Sequence, residues 1–338
     1  MRVLSMGPHM RRREFITLIG GAALAMPHRA RAQQAGGMRR IGVLMAVPEN
    51  DREFQGFVAA FREGLQKLGW AEGRNIRIDT RWAPDAESRQ RLAKELVAQQ
   101  PDLILSSSTP TTAALLQQTR TIPIIFANVT DPVGSGFVAS FPRPGGNVTG
   151  FILMEPTMAG KWLELLKEIA PRVNRVALLF NPATAPYAEY FLSPFKAAAA
   201  SFAVEASAAS VHNTSDLETV IAAQARAPNG GLIVMPDSFM TAHGAEITSL
   251  AARYRLPAVY SRRVFTELGG LLSYGNDFLD NYRRAASYAD RILKGAKPSE
   301  LPVQAPVKFE LVINLKTAKA LGLTIPQSLM LQADQVIQ

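Results

Sequence analysis

Hydroxyl-bearing side chains crowd one stretch of this sequence, Pro101 to Gly136. An apolar run, Leu103 to Leu105, breaks into Ser106-Ser107-Ser108-Thr109, and a second one, Ile122 to Ala127, ends in Asn128, Thr130 and Asp131. Together these residue types suit recognition of a small acid or zwitterion. Ser107, Ser108 and Thr109, at the opening of a helix, offer hydroxyls and free N–H groups to a carboxylate. Asp131 with Thr130 is placed to receive an amino group. Each also has a structural reading: Ser and Thr before a helix are N-caps, and Asp131-Pro132 is a turn signal.

A second set lies further along the chain: Asn181, Tyr187, Asp237, Ser238, Tyr260 and Tyr274. Asn181 before Pro182 could equally shape a turn, and Asp237 could cap a helix. The three tyrosines could close over an aromatic side chain by stacking, or pack in a hinge or core.

Catalytic chemistry finds less support. The chain has no cysteine, which removes disulfides, thiolate metal sites, a Cys nucleophile and a lipid anchor at a cleavage site. Beyond the N-terminal stretch only His212 and His243 remain, in unlike segments, with no Ser-His-Asp or metal constellation around them. No catalytic residue, metal site or cofactor is therefore expected. The alternative is a nucleotide-dependent enzyme on a Rossmann-like fold using the Gly134-Ser135-Gly136 loop, because Gly134 to Ala139 fits GxGxxA. That motif normally opens the first βα turn, whereas the first strand here runs into Ala46-Val47-Pro48-Glu49. The loop reads better as the start of the next helix.

The elements that must position these residues follow from periodicity. Arg39 to Met45 has the look of a buried parallel strand. Phe54, Phe57, Val58, Phe61, Leu65 and Leu68 share one helix face, ended by Gly69. Ile76 to Trp82 alternates as a more exposed strand, and Asp85 caps a helix running to about Gln99. Strands alternating with helices predict βαβ units and a parallel sheet, with ligands bound outside the carboxyl ends of the strands. After the Pro- and Gly-rich Phe141 to Phe151 the pattern starts again. Ile41 is echoed by Val176 at 135 positions, Ile104 by Ile233 at 129 and Pro123 by Pro257 at 134. A nearly constant offset predicts two lobes of one topology. Tyr274 to Asp277 reads as a turn before a helix containing Ala285, Tyr288 and Ile292.

The net charge of +9 invites a nucleic-acid reading, yet residues 1–32 hold six Arg against one acid, leaving +4 on the rest. Nucleic acid is not an expected partner. Arg11-Arg12-Arg13, the apolar run Phe15 to Met26 and Ala30-Arg31-Ala32 form a cleavable export signal of twin-arginine type, with Gln33 first after cleavage. Met10 would start that signal as well as Met1. The apolar run is too short to span a bilayer of roughly 30 Å.

Three phrases carry a resemblance: TDPVGSGFVASFPRPGGNVTGF (Thr130 to Phe151), the long segment from Ser273 to Pro326, and the terminal ADQVIQ (Ala333 to Gln338). With them the chain resembles the type I periplasmic solute-binding fold, and more narrowly the ABC-transporter substrate-binding family that includes tryptophan- and tyrosine-binding members. The family more often has a second acid where Gln335 stands. The resemblance implies a monomeric periplasmic receptor that traps a small-molecule solute between two Rossmann-like α/β lobes and presents it to an ABC permease at the inner membrane. Lobe 1 is expected to take 38–151 plus about 276–302, and lobe 2 to take 152–275 plus about 303–338. Branched-chain amino-acid receptors of this fold use a Ser/Thr cluster after the same strand, which supports Ser107, Thr109 and Thr130. A sugar-type repressor core shares the fold but would need a helix-turn-helix in place of the export signal. The mouths lack the carboxylates or tryptophans that sugars or polyamines would call for, which favours an amino acid or an aromatic or aliphatic carboxylate.

Overall fold

The computed structural model describes residues 37–338, so the export signal read over 1–32 lies outside the described residues. Arg39–Gln338 forms one compact unit. It begins with β1 (Arg39–Met45), α1 (Arg52–Lys67), β2 (Ile76–Trp82), α2 (Ala86–Ala98), β3 (Leu103–Ser106), α3 (Thr109–Gln118), β4 (Ile124–Val129) and β5 (Val148–Ile152). Side-chain caps fix the helix starts: Asp51 accepts from Glu53 N and Phe54 N, and Asp85 forms a capping box with Ser88. The strands make a five-stranded parallel sheet in the order β2-β1-β3-β4-β5. Both faces are covered, with Ile41, Val43 and Leu105 under α1, and Leu44, Ile104 and Phe126 on the opposite face.

The chain continues through α4 (Met158–Ile169), β6 (Arg175–Phe180), α5 (Ala188–Ser201), β7 (Glu205–Ser210), α6 (Thr214–Ala225), β8 (Gly230–Val234), α7 (Ser238–Ala242), α8 (Gly244–Arg253), β9 (Ala258–Tyr260), α9 (Arg263–Glu267) and β10 (Leu272–Asn276). It closes with α10 (Phe278–Leu293), β11 (Phe309–Asn314), α11 (Leu315–Leu321), α12 (Gln327–Gln332) and β12 (Gln335–Ile337). The second sheet has seven strands in the order β12-β11-β10-β9-β8-β6-β7, and only β11 against β10 is antiparallel.

Two similar Rossmann-like lobes result, and their hydrogen bonds repeat. Ile104 N donates to Pro123 O and Leu232 N to Pro257 O, both at 2.9 Å. Ile104 lies in register with Gly42 and Leu232 with Ala177, so the structural equivalent of Ile104 is Leu232, 128 positions on, rather than Ile233. A shift of one residue in a strand exchanges its faces, and Ile233 points to the other core.

The chain passes between lobes three times: from β5 to α4, from β10 to α10, and from Ala305 to β11. Helix α10 buries Tyr282, Ala285, Ala286 and Ala289 against Phe57, Phe61 and Leu65 of α1, and Gln304 bridges to Phe151 of β5.

Two local readings change. Gly134-Ser135-Gly136 starts no helix: the segment after Asp131 is a series of turns, with Gly134 N donating to Asp131 Oδ1 at 2.8 Å. Tyr274 to Asn276 is strand rather than turn, because β10 pairs with β9 on one side and β11 on the other.

Candidate functional site

Loops after strands of both sheets approach one another, with Tyr187 and Tyr190 of the second lobe near Thr130 and Asp131 of the first. On the first lobe, the Ser/Thr cluster turns out to be largely self-satisfied. Ser108 is the N-cap of α3, its Oγ accepting from Thr111 N, while Ser106 Oγ lies 2.8 Å from both Thr111 Oγ1 and Thr112 Oγ1. Ser107 Oγ accepts from Ala46 N at 3.0 Å, tying the end of β3 to that of β1. Thr109 Oγ1 donates to Thr130 O at 3.3 Å and accepts from Thr130 N at 3.0 Å, so it joins the two polar mouths. The Thr130 hydroxyl itself is buried and faces the Tyr187 phenol of the opposing lobe. Asp131 adopts φ +45° and caps its own turn, and its charge reaches Tyr190 of the opposing lobe.

On the second lobe, Asp237 is 4% exposed. Its carboxylate accepts from Asn181 N at 2.7 Å, Thr184 Oγ1 and Phe239 N at 2.7 Å. Asn181 is buried too, its Oδ1 accepting from Ala183 N and Thr184 N and its Nδ2 donating to His212 O. Both therefore build the loop after β6 rather than offer free groups. Tyr187 OH donates to Pro236 O at 2.9 Å. Burial first, and the Asp237 charge second, push this phenol above its ordinary pKa, while the Thr130 hydroxyl across the cleft acts the other way. Tyr187 and Thr130 thus bring the two lobes together. Burial, then the charges of Asp131 and Glu155, likewise raise Tyr190.

Three expected residues are not brought to the cleft mouth. Ser238 is exposed at the start of the short α7. Tyr260 packs in the core, stacked on Phe265 at 5.0 Å, because its position in β9 faces the side of Ala258, Val234 and Leu232. Tyr274 stacks on Phe309 at 5.8 Å, and its carbonyl accepts from Trp162 Nε1.

The buried polar atoms that do lack partners come mostly from other residues: Ser261 Oγ after β9, both amide atoms of Asn276 at the end of β10, Asn281 Oδ1 and Tyr282 OH in α10. They adjoin the crossings. Asn281 Nδ2 donates to Asn128 Oδ1 at 2.7 Å and to Ile152 O at 3.1 Å, so the start of α10 meets the ends of β4 and β5. A buried polar atom left unpaired costs about 1–3 kcal/mol. Asn276 falls in the segment that reads as a turn and Asn281 in one whose periodicity signals only a helix, so nothing in their spacing marks them. Among the described residues there is no group of three or more His, Cys, Asp or Glu able to hold a metal.

Asp237 yields a test of this packing. Burial raises its pKa in the folded state against the pull of its hydrogen bonds, so the folded protein holds that proton more tightly than the unfolded chain. Between the ordinary aspartate value, about 3.9, and the raised one, stability falls as pH rises. Asp237→Asn removes this dependence. Urea midpoints are expected to show wild type losing stability relative to Asp237→Asn from about pH 4 to pH 7. A constant difference would show that burial does not dominate there.

Two like α/β lobes joined by three crossings define the type I periplasmic binding fold. The family described as ABC transporter substrate binding protein matches residues 40–337, and the chain belongs to it. It is 28% identical over 288 residues to a tyrosine-binding protein of Clostridioides difficile, covering 84% of this chain and 81% of that one. Among solved structures it resembles a conserved domain protein from Vibrio cholerae, with 28% identity and a TM-score of 0.82 over 89% of this chain and 100% of that one. An ABC domain in complex with L-Trp from Streptococcus pneumonia matches with 28% identity and a TM-score of 0.80 over the same shares.

Proposed function

We propose that this protein is an exported receptor that closes its lobes over one small amino acid and presents it to an ABC permease, with no chemistry of its own. The carrying observation is the set of buried polar atoms on Ser261, Asn276, Asn281 and Tyr282 without a partner among the described residues, contributed by the second lobe and by the helix packed on the first. A zwitterion supplies donors and acceptors to such a set, as a hydrocarbon cannot. The tyrosine-binding relative and the L-Trp complex favour an aromatic amino acid. Ser107, Ser108, Asp131 and Tyr187 shape the same mouth, and the N–H of Thr109, the first residue of α3, is placed to meet a carboxylate.

No helix among the described residues is long and apolar enough to cross a membrane. The arginine-rich 1–32 would direct export, and the processed protein would work in the periplasm as a monomer. Thermal melts of the exported protein with L-tyrosine, L-tryptophan, other amino acids and aromatic acids test the reading. A solute at 100 times its Kd should stabilise by about 2.7 kcal/mol, a rise of roughly 5 °C. Stabilisation by NAD(P)H, or product formed from any bound solute, would overturn it. So would retention of the unprocessed chain in the cytoplasm.

A further inference from the structure

Arg262 follows Ser261 in the loop after β9 and is only 7% exposed although it carries a full charge. Its Nη2 donates to Glu53 Oε1 at 2.5 Å and its Nη1 to Thr241 Oγ1 at 3.1 Å. The guanidinium carbon lies 4.7 Å from the Phe278 ring centre and 5.8 Å from that of Phe54. Phe57 and Tyr282 extend this aromatic wall, stacked on each other at 5.1 Å.

The members of this contact ride on different bodies. Glu53 and Phe54 stand in the first turn of α1, and Phe278 opens α10, both packed on the first sheet, whereas Arg262 and Thr241 belong to the second lobe. Lobe 1 therefore presents a guanidinium receptor, a carboxylate flanked by two ring faces, and lobe 2 inserts its own guanidinium. Removing an arginine from water is costly unless it is paired, so this insertion favours the joined state of the lobes only while Glu53 is in place. The Glu53 side chain is 42% exposed, so water can reach it and the pair can separate.

We propose that Glu53 and Arg262 form the latch of the closed form, and that Arg262 is a positioning residue that sets how long solute is retained without contacting it. This inference rests on the receptor reading above. The pair is closed by geometry that sequence does not announce, since it joins residues 209 positions apart, while the neighbouring Arg263 is spent on Glu267 and Glu310.

The test uses Glu53→Gln, Arg262→Gln and the exchanged pair Glu53→Arg with Arg262→Glu. Stopped-flow displacement of L-tyrosine or L-tryptophan gives koff, and small-angle scattering of the solute-free protein reports opening. Each single variant is expected to raise koff about tenfold, with kon within about threefold, and to expand the scattering envelope. The exchanged pair should recover much of both. Wild-type koff and scattering in the single variants, or no recovery in the exchanged pair, would overturn the latch. An effect of Arg262→Gln without one from Glu53→Gln would overturn it too, by assigning Arg262 to the solute. If neither amino acid binds wild type, the receptor reading fails on its ligand, and scattering alone decides the latch: expansion supports it and no change rejects it.

Discussion

Asn276→Leu is expected to stabilise the free protein while weakening its solute at least about 100-fold. Both side-chain polar atoms of Asn276 lack partners among the described residues, and the residue is 8% exposed at the end of β10. Replacing an unpaired buried amide by an apolar group of like shape removes a desolvation cost of about 1–3 kcal/mol. If the amide pairs with solute, the same change strips two hydrogen bonds from the complex and leaves the solute's own polar atoms unmatched. Opposite signs in stability and affinity separate a binding residue from a structural one. Asn281→Leu provides the contrast: its Nδ2 already donates to Asn128 Oδ1 and Ile152 O, so this variant should lose stability as well as affinity. Urea titrations and isothermal calorimetry measure both. Lower stability with unchanged affinity for Asn276→Leu would place its amide in the hinge and outside the site.

What could be read from sequence divides along a physical line. Strands and helices follow from periodicities that many residues share, so β1, α1 and the repeat of Pro123 by Pro257 survive small errors. A site residue depends on one side chain's direction and on whether a neighbour has already taken its polar atoms. Tyr260 occupies the expected strand end but points to the core, one position from the cleft face. Ser108 and Thr109 stand where a carboxylate could bind, and their hydroxyls are spent on Thr111 and Thr130. Asp237 illustrates the same competition, its oxygens already accepting from Asn181, Thr184 and Phe239. Conversely, Asn281 meets Asn128 only because the chain returns to the first lobe through α10. That return is a long-range contact with no local signature, and so is the pairing of Arg262 with Glu53.

Gly275→Ala is expected to damage both stability and binding, through one contact. The Ser261 carbonyl occupies the space where a side chain would begin: a Cβ on Gly275 would lie 2.1 Å from that oxygen and 3.1 Å from Met154 Cε. Ordinary carbon–oxygen contacts lie about 1 Å further apart, so the end of β10 must move away from the loop after β9. Those strands pair only through Leu272 with Val259 and Ser273 with Tyr260, which leaves the next residues free to splay. The strain should cost at least about 3 kcal/mol and lower Tm by roughly 6 °C or more. Affinity should fall further than that loss explains, because the displaced backbone carries Ser261 and Arg262 on one side and Asn276 on the other. Gly56→Ala serves as the control: its Cβ would meet nothing within 4 Å, so added helix propensity in α1 should stabilise by up to about 1 kcal/mol without touching binding. Wild-type Tm and affinity in Gly275→Ala would mean that β10 and the loop after β9 can part freely, and the junction where both lobes meet would then not be the rigid frame of the site.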